Sequence, residues 1–153
     1  MHDIAQEFQL LAKDKSIHLI VDTPDFAPLV YADIGLMQRA LQNLISNAIR
    51  YTPRDGEVRF MVSVEDNSLR VSISDTGTGV APAVLPHIFE RFYRGQQNAA
   101  RSTNAEEAEQ VRSSAGLGLA IVKRILDLHT ISIDVKSKLS EGTQFSFTLP
   151  VAS

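Results

Sequence analysis

The chain has 153 residues, of which 44% are apolar, and this is enough material for one globular domain with a single packed core. Its net charge of -3 argues against a nucleic-acid-binding protein, which would need a basic face to neutralise phosphates. The absence of cysteine excludes a disulfide scaffold and a thiolate metal site, and it fits a reducing cytoplasm.

The first third of the chain predicts a helix, a strand and a second helix. Apolar residues recur at helical spacing over residues 3–13, and the apolar run 17–21 is typical of a strand. Asp33 then stands where the N-cap of a helix is expected. Behind it lies an apolar stripe wide enough for a core-facing helix over about residues 34–51, closed by Pro53.

The middle of the chain predicts a hairpin and then a long irregular segment. Residues 57–64 and 69–74 alternate between apolar and polar, with the turn-forming residues 66–67 between them. Residues 95–115 contain almost no bulky apolar side chains, so we expect a long mobile segment inside an otherwise compact domain. Segments of this length are usually disordered, or they act as lids over a site.

The last part of the chain predicts a helix and a closing hairpin. Helical spacing resumes over residues 116–128, and the alternating runs 131–135 and 145–149 follow, separated by a turn at Gly142. This order of elements favours an α/β fold, a two-layer sandwich in which helices cover one face of a mixed, mostly antiparallel sheet. Residues 1–153 then form one domain.

Three polar residues lie on one face of the second predicted helix. Asn43, Asn47 and Arg50 are spaced four and three residues apart, which puts their side chains on the same side. Amide oxygens and a guanidinium suit a hydrated Mg²⁺ and the phosphates that it bridges. Taken alone, however, the pattern is more typical of a solvent-exposed polar face.

Two segments contain pairs of glycines. Asp75 ends a predicted strand and is followed by Gly77 and Gly79, so its carboxylate can accept a hydrogen bond from an exocyclic amine while the backbone approaches a planar ligand. Gly116 and Gly118 open a helix, whose free amides and dipole favour an anion such as phosphate. The second pair is not a P-loop, because no Gly-Lys-Ser/Thr follows it.

A fourth segment, residues 88–94, is an aromatic and basic cluster that predicts an anchor for the root of the irregular segment. Taken in chain order, the α2 segment, the segment at Asp75, residues 88–94 and the segment at Gly116 closely resemble the N, G1, F and G2 boxes of sensor histidine kinases. These kinases belong to a wider superfamily with gyrase-type, chaperone and mismatch-repair ATPases. Residues 142–150 also resemble the last strand of that family, so the resemblance covers nearly the whole chain.

The resemblance implies a Bergerat fold that binds ATP and Mg²⁺, with a role for each matching residue. Asn47 would hold Mg²⁺, Asn43 would contact the phosphates or the metal, and Arg50 would contact the phosphates, so that all three serve catalysis. Tyr51 would flank the adenine. Asp75 would accept a hydrogen bond from the adenine amino group and so select ATP over GTP. The remaining implied contacts to the nucleotide come from Gly77, Gly79, Arg94, Gly116, Leu117 and Gly118.

The resemblance also implies a reaction and its partners. The γ-phosphate would pass to a histidine on a separate helical dimerisation domain, docking near Phe89, Phe92 and Tyr93, and residues 95–115 would be the ATP lid. A response regulator would act downstream. None of the four histidines of this chain stands in the acceptor pattern of the family. Related ATPases carry a water-activating Glu where this chain has Asn43, a poor base, so we expect transfer rather than hydrolysis.

We expect the chain by itself to be cytoplasmic and monomeric, with a parent protein anchored in the inner or plasma membrane by segments outside this chain.

Two alternative functions stay open. An anti-sigma-factor serine kinase shares the N and G boxes but lacks the aromatic cluster and the long lid, and a non-catalytic docking module would not need an intact set of box residues. Thr130 and Ile131 replace a Gly-Gly pair that is common in the family, so we expect a local change of the backbone without loss of binding.

Overall fold

The computed structural model describes residues 2–25, 32–90 and 118–151. Within these ranges, three helices and five strands follow one another in the predicted order. They are α1 (His2–Asp14), β1 (His18–Asp22), α2 (Ile34–Tyr51), β2 (Glu57–Glu65), β3 (Ser68–Asp75), α3 (described over residues 118–128), β4 (Asp134–Lys138) and β5 (Gly142–Pro150), with a short 3-10 turn at Leu85–His87 before α3. Within the described residues, no helix combines the length and the apolar character that crossing a membrane requires.

The five strands form one sheet in the order β1-β2-β3-β5-β4. β1 pairs with β2 in parallel, and the other three pairs are antiparallel, which confirms the predicted mixed and mostly antiparallel sheet. Because side chains alternate along a strand, every second residue faces the helices. These inward residues share one core with the helices; its largest fully buried members are Phe145, Leu44, Ile45, Ile73, Ile88, Leu119 and Leu126.

Helix α2 begins where its sequence predicts. The side chain of Asp33 accepts a hydrogen bond from the N–H of Leu36 at 2.9 Å, which satisfies one of the free amide groups at the start of the helix. Its apolar stripe is buried against the sheet. The polar residues of the same helix are therefore held at a defined angle to the core.

The last four carbonyl groups of α2, at residues 48–51, all have hydrogen-bond donors from outside the helix. The hydroxyl of Thr52 donates to the first at 2.7 Å, and the ammonium of Lys15 donates to the next two at 2.6 Å each. The N–H of Thr78 donates to the fourth at 3.3 Å. Burial lowers the pKa of Lys15, and the neighbouring Arg50 guanidinium lowers it further. The end of α2 is thus hydrogen-bonded to Lys15, just after α1, and to the loop after β3, which comprises residues 76–84.

The final hairpin differs from the prediction. β4 occupies Asp134–Lys138 instead of residues 131–135, and Gly142 is the first residue of β5 rather than the turn. The reason is that the chain is still closing α3 at Ile131, whose N–H donates to the carbonyl of Leu126 at 2.8 Å. The register, which pairs Lys138 with Gly142, then places the turn at residues 139–141.

Thr130, just after α3, has an unusual backbone conformation. Thr130 has a φ of 58°, in the left-handed region where a β-branched side chain is disfavoured. Its N–H donates to the carbonyl of Asp127 at 3.0 Å, so it serves as the cap residue that ends α3. The expected difference from a backbone with Gly-Gly stays a prediction.

His129 joins the end of α3 to the start of α2. Its Nδ1 lies 2.8 Å from the carbonyl oxygen of Ile125, and its Nε2 lies 3.0 Å from the backbone nitrogen of Asp33. A carbonyl can only accept and an N–H can only donate, so Nδ1 carries the proton and the ring is neutral. Both ring nitrogens are engaged in holding the two helices together.

We expect His129→Ala to lower the free energy of unfolding by about 1–3 kcal/mol, because two hydrogen bonds are lost and a backbone amide loses its acceptor. Urea denaturation followed by circular dichroism measures this change. The matched control is His18→Ala, at an exposed strand position, which should stay within about 0.5 kcal/mol of the parent chain. Equal losses in the two variants would contradict a linking role for His129.

Candidate nucleotide-binding site

The two asparagines of α2 are withdrawn from solvent. Asn47 is only 8% exposed, Asn43 one turn earlier is half-buried, and Arg50 is exposed at the end of the helix. A polar face that merely contacts water would leave all three side chains exposed. Buried polar groups are normally hydrogen-bonded, so this face of the helix has the character of a binding surface.

Asn43 carries a buried donor that has no acceptor. Its Nδ2 is fully buried and makes no hydrogen bond within the described part of the chain. Leaving such a group unpaired costs about 1–3 kcal/mol, which an acceptor on a ligand would recover. A phosphate oxygen is an acceptor of this kind. The residues present on α2 therefore fit the triphosphate that the resemblance implies.

Asp75 is held in a fixed orientation at the end of β3. Its Oδ1 accepts hydrogen bonds from the N–H of Gly77 at 2.8 Å and from the N–H of Thr143 at 3.3 Å. The carboxylate is half-buried. Because two N–H groups from different segments donate to one oxygen, the rotation of the side chain is restricted. A fixed orientation suits a carboxylate that accepts a hydrogen bond from a single group on a ligand.

The loop after β3 packs directly against the end of α2. A Cβ on Gly77 would overlap the carbonyl oxygen of Tyr51 and would lie 2.8 Å from Oδ1 of Asp75. The N–H of Thr78 donates to the same Tyr51 carbonyl at 3.3 Å. The structure thus brings Asp75 and Gly77, which belong to one sequence motif, together with Tyr51, which belongs to another.

Gly118 lies beside open space. It is the first described residue of α3, and a Cβ built on it would meet no atom within 4 Å. Packing among the described residues therefore does not require glycine here. A side chain would instead fill the space next to this turn of the helix, and this space is where the resemblance places a phosphate.

Several predicted residues lie outside the described ranges. They are Phe92, Tyr93, Arg94, Gly116, Leu117 and the segment 95–115 that is predicted to be the lid. Phe89 is described, and its ring packs edge-to-face on Phe145 at a centroid distance of 6.1 Å. Phe89 therefore anchors the start of the aromatic cluster on the core, which agrees with the predicted anchoring role of this segment.

The turn between β4 and β5 contacts the loop after Asp75, which no pattern in the sequence indicates. On either side of the turn, the N–H of Thr143 in β5 donates to Asp75 at the end of β3, and the hydroxyl of Ser137 in β4 accepts from the N–H of Val80 in the loop, across 68 and 57 positions of the chain. A serine or threonine beside a turn is common and has no specific spacing to reveal such a contact. The only usable signal is the similarity of residues 142–150 to the last strand of the family.

The described residues form a hollow beside Asp75. A hollow of about 310 Å³ is lined by Asp75, by Lys136 and Lys138 of β4, and by the start of β5. A cavity of about 760 Å³ lies between α1 and β1 and contains none of the predicted site residues.

Across residues 2–25, 32–90 and 118–151, no group of three or more His, Cys, Asp or Glu side chains could hold a metal ion. An ion at this site would need Asn47 and oxygens of the ligand.

Comparisons with known proteins show which family the chain resembles. The family model described as "Histidine kinase-, DNA gyrase B-, and HSP90-like ATPase" matches residues 32–153. The adaptive-response sensory kinase SasA of Rippkaea orientalis is 35% identical over 150 residues, which cover 97% of this chain and 36% of SasA. The sensor histidine kinase RppB of Synechocystis is 34% identical over 151 residues, which cover 99% of this chain and 31% of RppB.

A solved structure shows the same fold. Full-length ShkA, crystallised in complex with AMPPNP, superposes with a TM-score of 0.78 at 29% identity, over 99% of this chain and 30% of ShkA. The chain spans about a third of the length of the curated relatives SasA and RppB. It therefore belongs to the family of histidine kinase-, DNA gyrase B- and HSP90-like ATPases, among whose members it resembles the ATPase domains of two-component sensor kinases.

Proposed function

We propose that this chain binds Mg-ATP and transfers the γ-phosphate to a histidine on a helical dimerisation domain outside the chain. The observation that carries the proposal is the packing of the Asp75 loop against the end of α2, the helix that holds Asn43 and Asn47. At one end of this arrangement, the oriented carboxylate of Asp75 suits a hydrogen bond from an adenine ring. The other presents a buried amide donor that suits a phosphate.

The proposed roles follow from the chemistry of each side chain. Asn47 would hold Mg²⁺ through its amide oxygen, and Mg²⁺ commonly takes only one or two protein ligands and completes its shell with phosphates and water. The ion would neutralise charge on the phosphates. Asn43 would donate its buried N–H to a phosphate oxygen, and Arg50 would contact the phosphates from the exposed end of the helix.

The position of α3 supports a phosphate contact at Gly118. The hydrogen bond between His129 and Asp33 puts the end of α3 beside the start of α2. Residues 118–128 span roughly 16 Å at 1.5 Å per residue, which is close to the distance along α2 from Asp33 to Asn43. With α3 antiparallel to α2, this length would put Gly118 level with Asn43.

Transfer to another protein is the reaction that these residues favour. A general base must accept the proton of the attacking nucleophile, and the amide of Asn43 has no basic atom for this. An acceptor imidazole needs no such base, because it attacks through a lone pair of its own. The named relatives are sensor kinases rather than anti-sigma-factor serine kinases, which supports histidine as the acceptor.

The proposed partners lie outside this chain. The helical domain that bears the acceptor histidine would dock near Phe89, Phe92 and Tyr93, and a response regulator would receive the phosphate from it. The parent protein would be anchored in a membrane by segments of its own. The similarity to much longer sensor kinases supports these proposals, since the chain corresponds to only one part of them.

Asp75→Asn is expected to weaken ATP binding by about tenfold or more, because one acceptor oxygen becomes a donor that faces the adenine amino group. Isothermal titration calorimetry with AMP-PNP and GMP-PNP measures this. In the parent chain the adenine nucleotide should bind more tightly, and in the variant the difference should largely disappear. Asp66→Asn, at the exposed β2–β3 turn, is the matched control and should behave as the parent. Equal affinity of the parent chain for both nucleotides would contradict the proposed role of Asp75 in recognising adenine.

A further inference from the structure

The turn between β4 and β5 is hydrogen-bonded to the loop that follows Asp75. The Oγ of Ser137, on β4, accepts a hydrogen bond from the N–H of Val80 at 2.8 Å. The N–H of Ser140, in the turn, donates to the carbonyl of Thr78 at 2.8 Å. The two bonds clamp the loop at both of these positions, although its own sequence is glycine-rich and flexible.

Ser137 is the point where these contacts converge. Its Oγ also lies 3.1 Å from the carbonyl of Gly142, to which it can donate, and 2.9 Å from Oγ1 of Thr143. Thr143 is 8% exposed, and its N–H reaches Oδ1 of Asp75 at 3.3 Å. One hydroxyl group thus connects the loop at Val80 to the strand that orients the carboxylate.

Two close backbone approaches complete the contact. Gly79 has a φ of 73°, and a Cβ on it would overlap the carbonyl oxygen of Lys138. Gly142 has a φ of 120°, and a Cβ on it would overlap the carbonyl oxygen of Asp75. Backbone therefore packs on backbone on both sides of the loop, which leaves little freedom for it to shift while the hydrogen bonds at Ser137 and Ser140 hold.

We propose that Ser137 is a positioning residue for purine recognition, whose hydroxyl keeps the loop after β3 in the place where the Asp75 carboxylate meets the base. The inference rests on the proposed role of Asp75 in reading adenine. Ser137 acts through the loop and through Thr143, and it does not itself need to touch the nucleotide. The asparagines of α2 are on a different element, so contacts to the phosphates do not depend on it.

Ser137→Ala should weaken AMP-PNP binding by about tenfold and leave GMP-PNP binding within about twofold of the parent, because a shifted carboxylate affects only the adenine contact. Ser137→Thr keeps a hydroxyl at this position and should restore most of the preference for AMP-PNP. Calorimetric titration of the whole chain measures both affinities. Ser68→Ala is the matched control, since Ser68 donates one hydrogen bond at 3.1 Å and lies at the opposite end of β3 from Asp75.

A structural effect alone would give a different result. If the affinities for both nucleotides fall equally in Ser137→Ala, or if the preference for AMP-PNP is unchanged, the inference is overturned while the proposed role of Asp75 stands. If the parent chain shows no preference, the proposed role of Asp75 fails and the inference fails with it. Should Ser137→Ala not fold, Ser137→Cys replaces it, because a thiol has similar volume but hydrogen-bonds weakly.

Discussion

Asn47→Asp is expected to reduce phosphoryl transfer by about 100-fold or more. The side chain is 8% exposed, so a carboxylate in its place would bring a buried negative charge next to the position proposed for the triphosphate. Burying an unpaired charge is unfavourable, and its repulsion from the phosphates acts at close range in a medium of low dielectric constant. The two effects outweigh the ability of a carboxylate to bind Mg²⁺.

The measurement is a mixed assay. The chain, γ-labelled ATP and Mg²⁺ are combined with a separately purified helical domain that bears the cognate histidine, and label on that domain is followed over time. Transfer by the untethered parent chain should be detectable but slow, since the reactants are not held together. No label should appear on the chain when it is incubated alone.

Gln38→Glu is the matched control for Asn47→Asp. It makes the same change from amide to carboxylate on the same helix, but at an exposed position, and transfer should stay within about twofold of the parent because water screens the charge. Thermal unfolding of both variants confirms that they are folded. If Asn47→Asp transfers phosphate as fast as the parent chain, the metal-binding role of Asn47 is refuted. If label appears on one of the histidines of this chain, the acceptor lies within the chain.

Two glycine substitutions should have opposite effects on stability. Gly142→Ala is expected to lower the free energy of unfolding by about 3 kcal/mol or more, because the φ of 120° is unfavourable for alanine and the new Cβ overlaps the Asp75 carbonyl oxygen. Gly118→Ala should raise it by about 0.5–1 kcal/mol, since alanine is a better helix former and its Cβ meets no atom of the described residues.

Nucleotide affinity should separate from stability at Gly118. Although Gly118→Ala makes the folded chain more stable, it should weaken binding of AMP-PNP by about tenfold, because the Cβ enters the space proposed for a phosphate. Urea denaturation and calorimetric titration on the same samples measure the two quantities. Unchanged affinity in Gly118→Ala would remove this residue from the site, and parental stability of Gly142→Ala would contradict the close approach to Asp75.

The sequence by itself determined the elements whose signals are local. Helix α2 occupies Ile34–Tyr51 as its apolar stripe predicts, because the stripe and the Asp33 cap both act within a few turns of one helix. The hairpin of β2 and β3 also follows its alternating pattern. The four motifs identified the candidate site residues for the same reason, since each motif is a short segment with its own spacing.

Only the tertiary structure decided how these segments meet. The boundaries of β4 depend on how α3 is capped at Thr130 and on the register with β5, and alternation of apolar residues specifies neither. The contact of Gly77 with Tyr51 and the hydrogen bond from Val80 to Ser137 join residues far apart in the chain. Such contacts depend on close backbone approaches in the packed domain, which a pattern of residue types along a single segment does not encode.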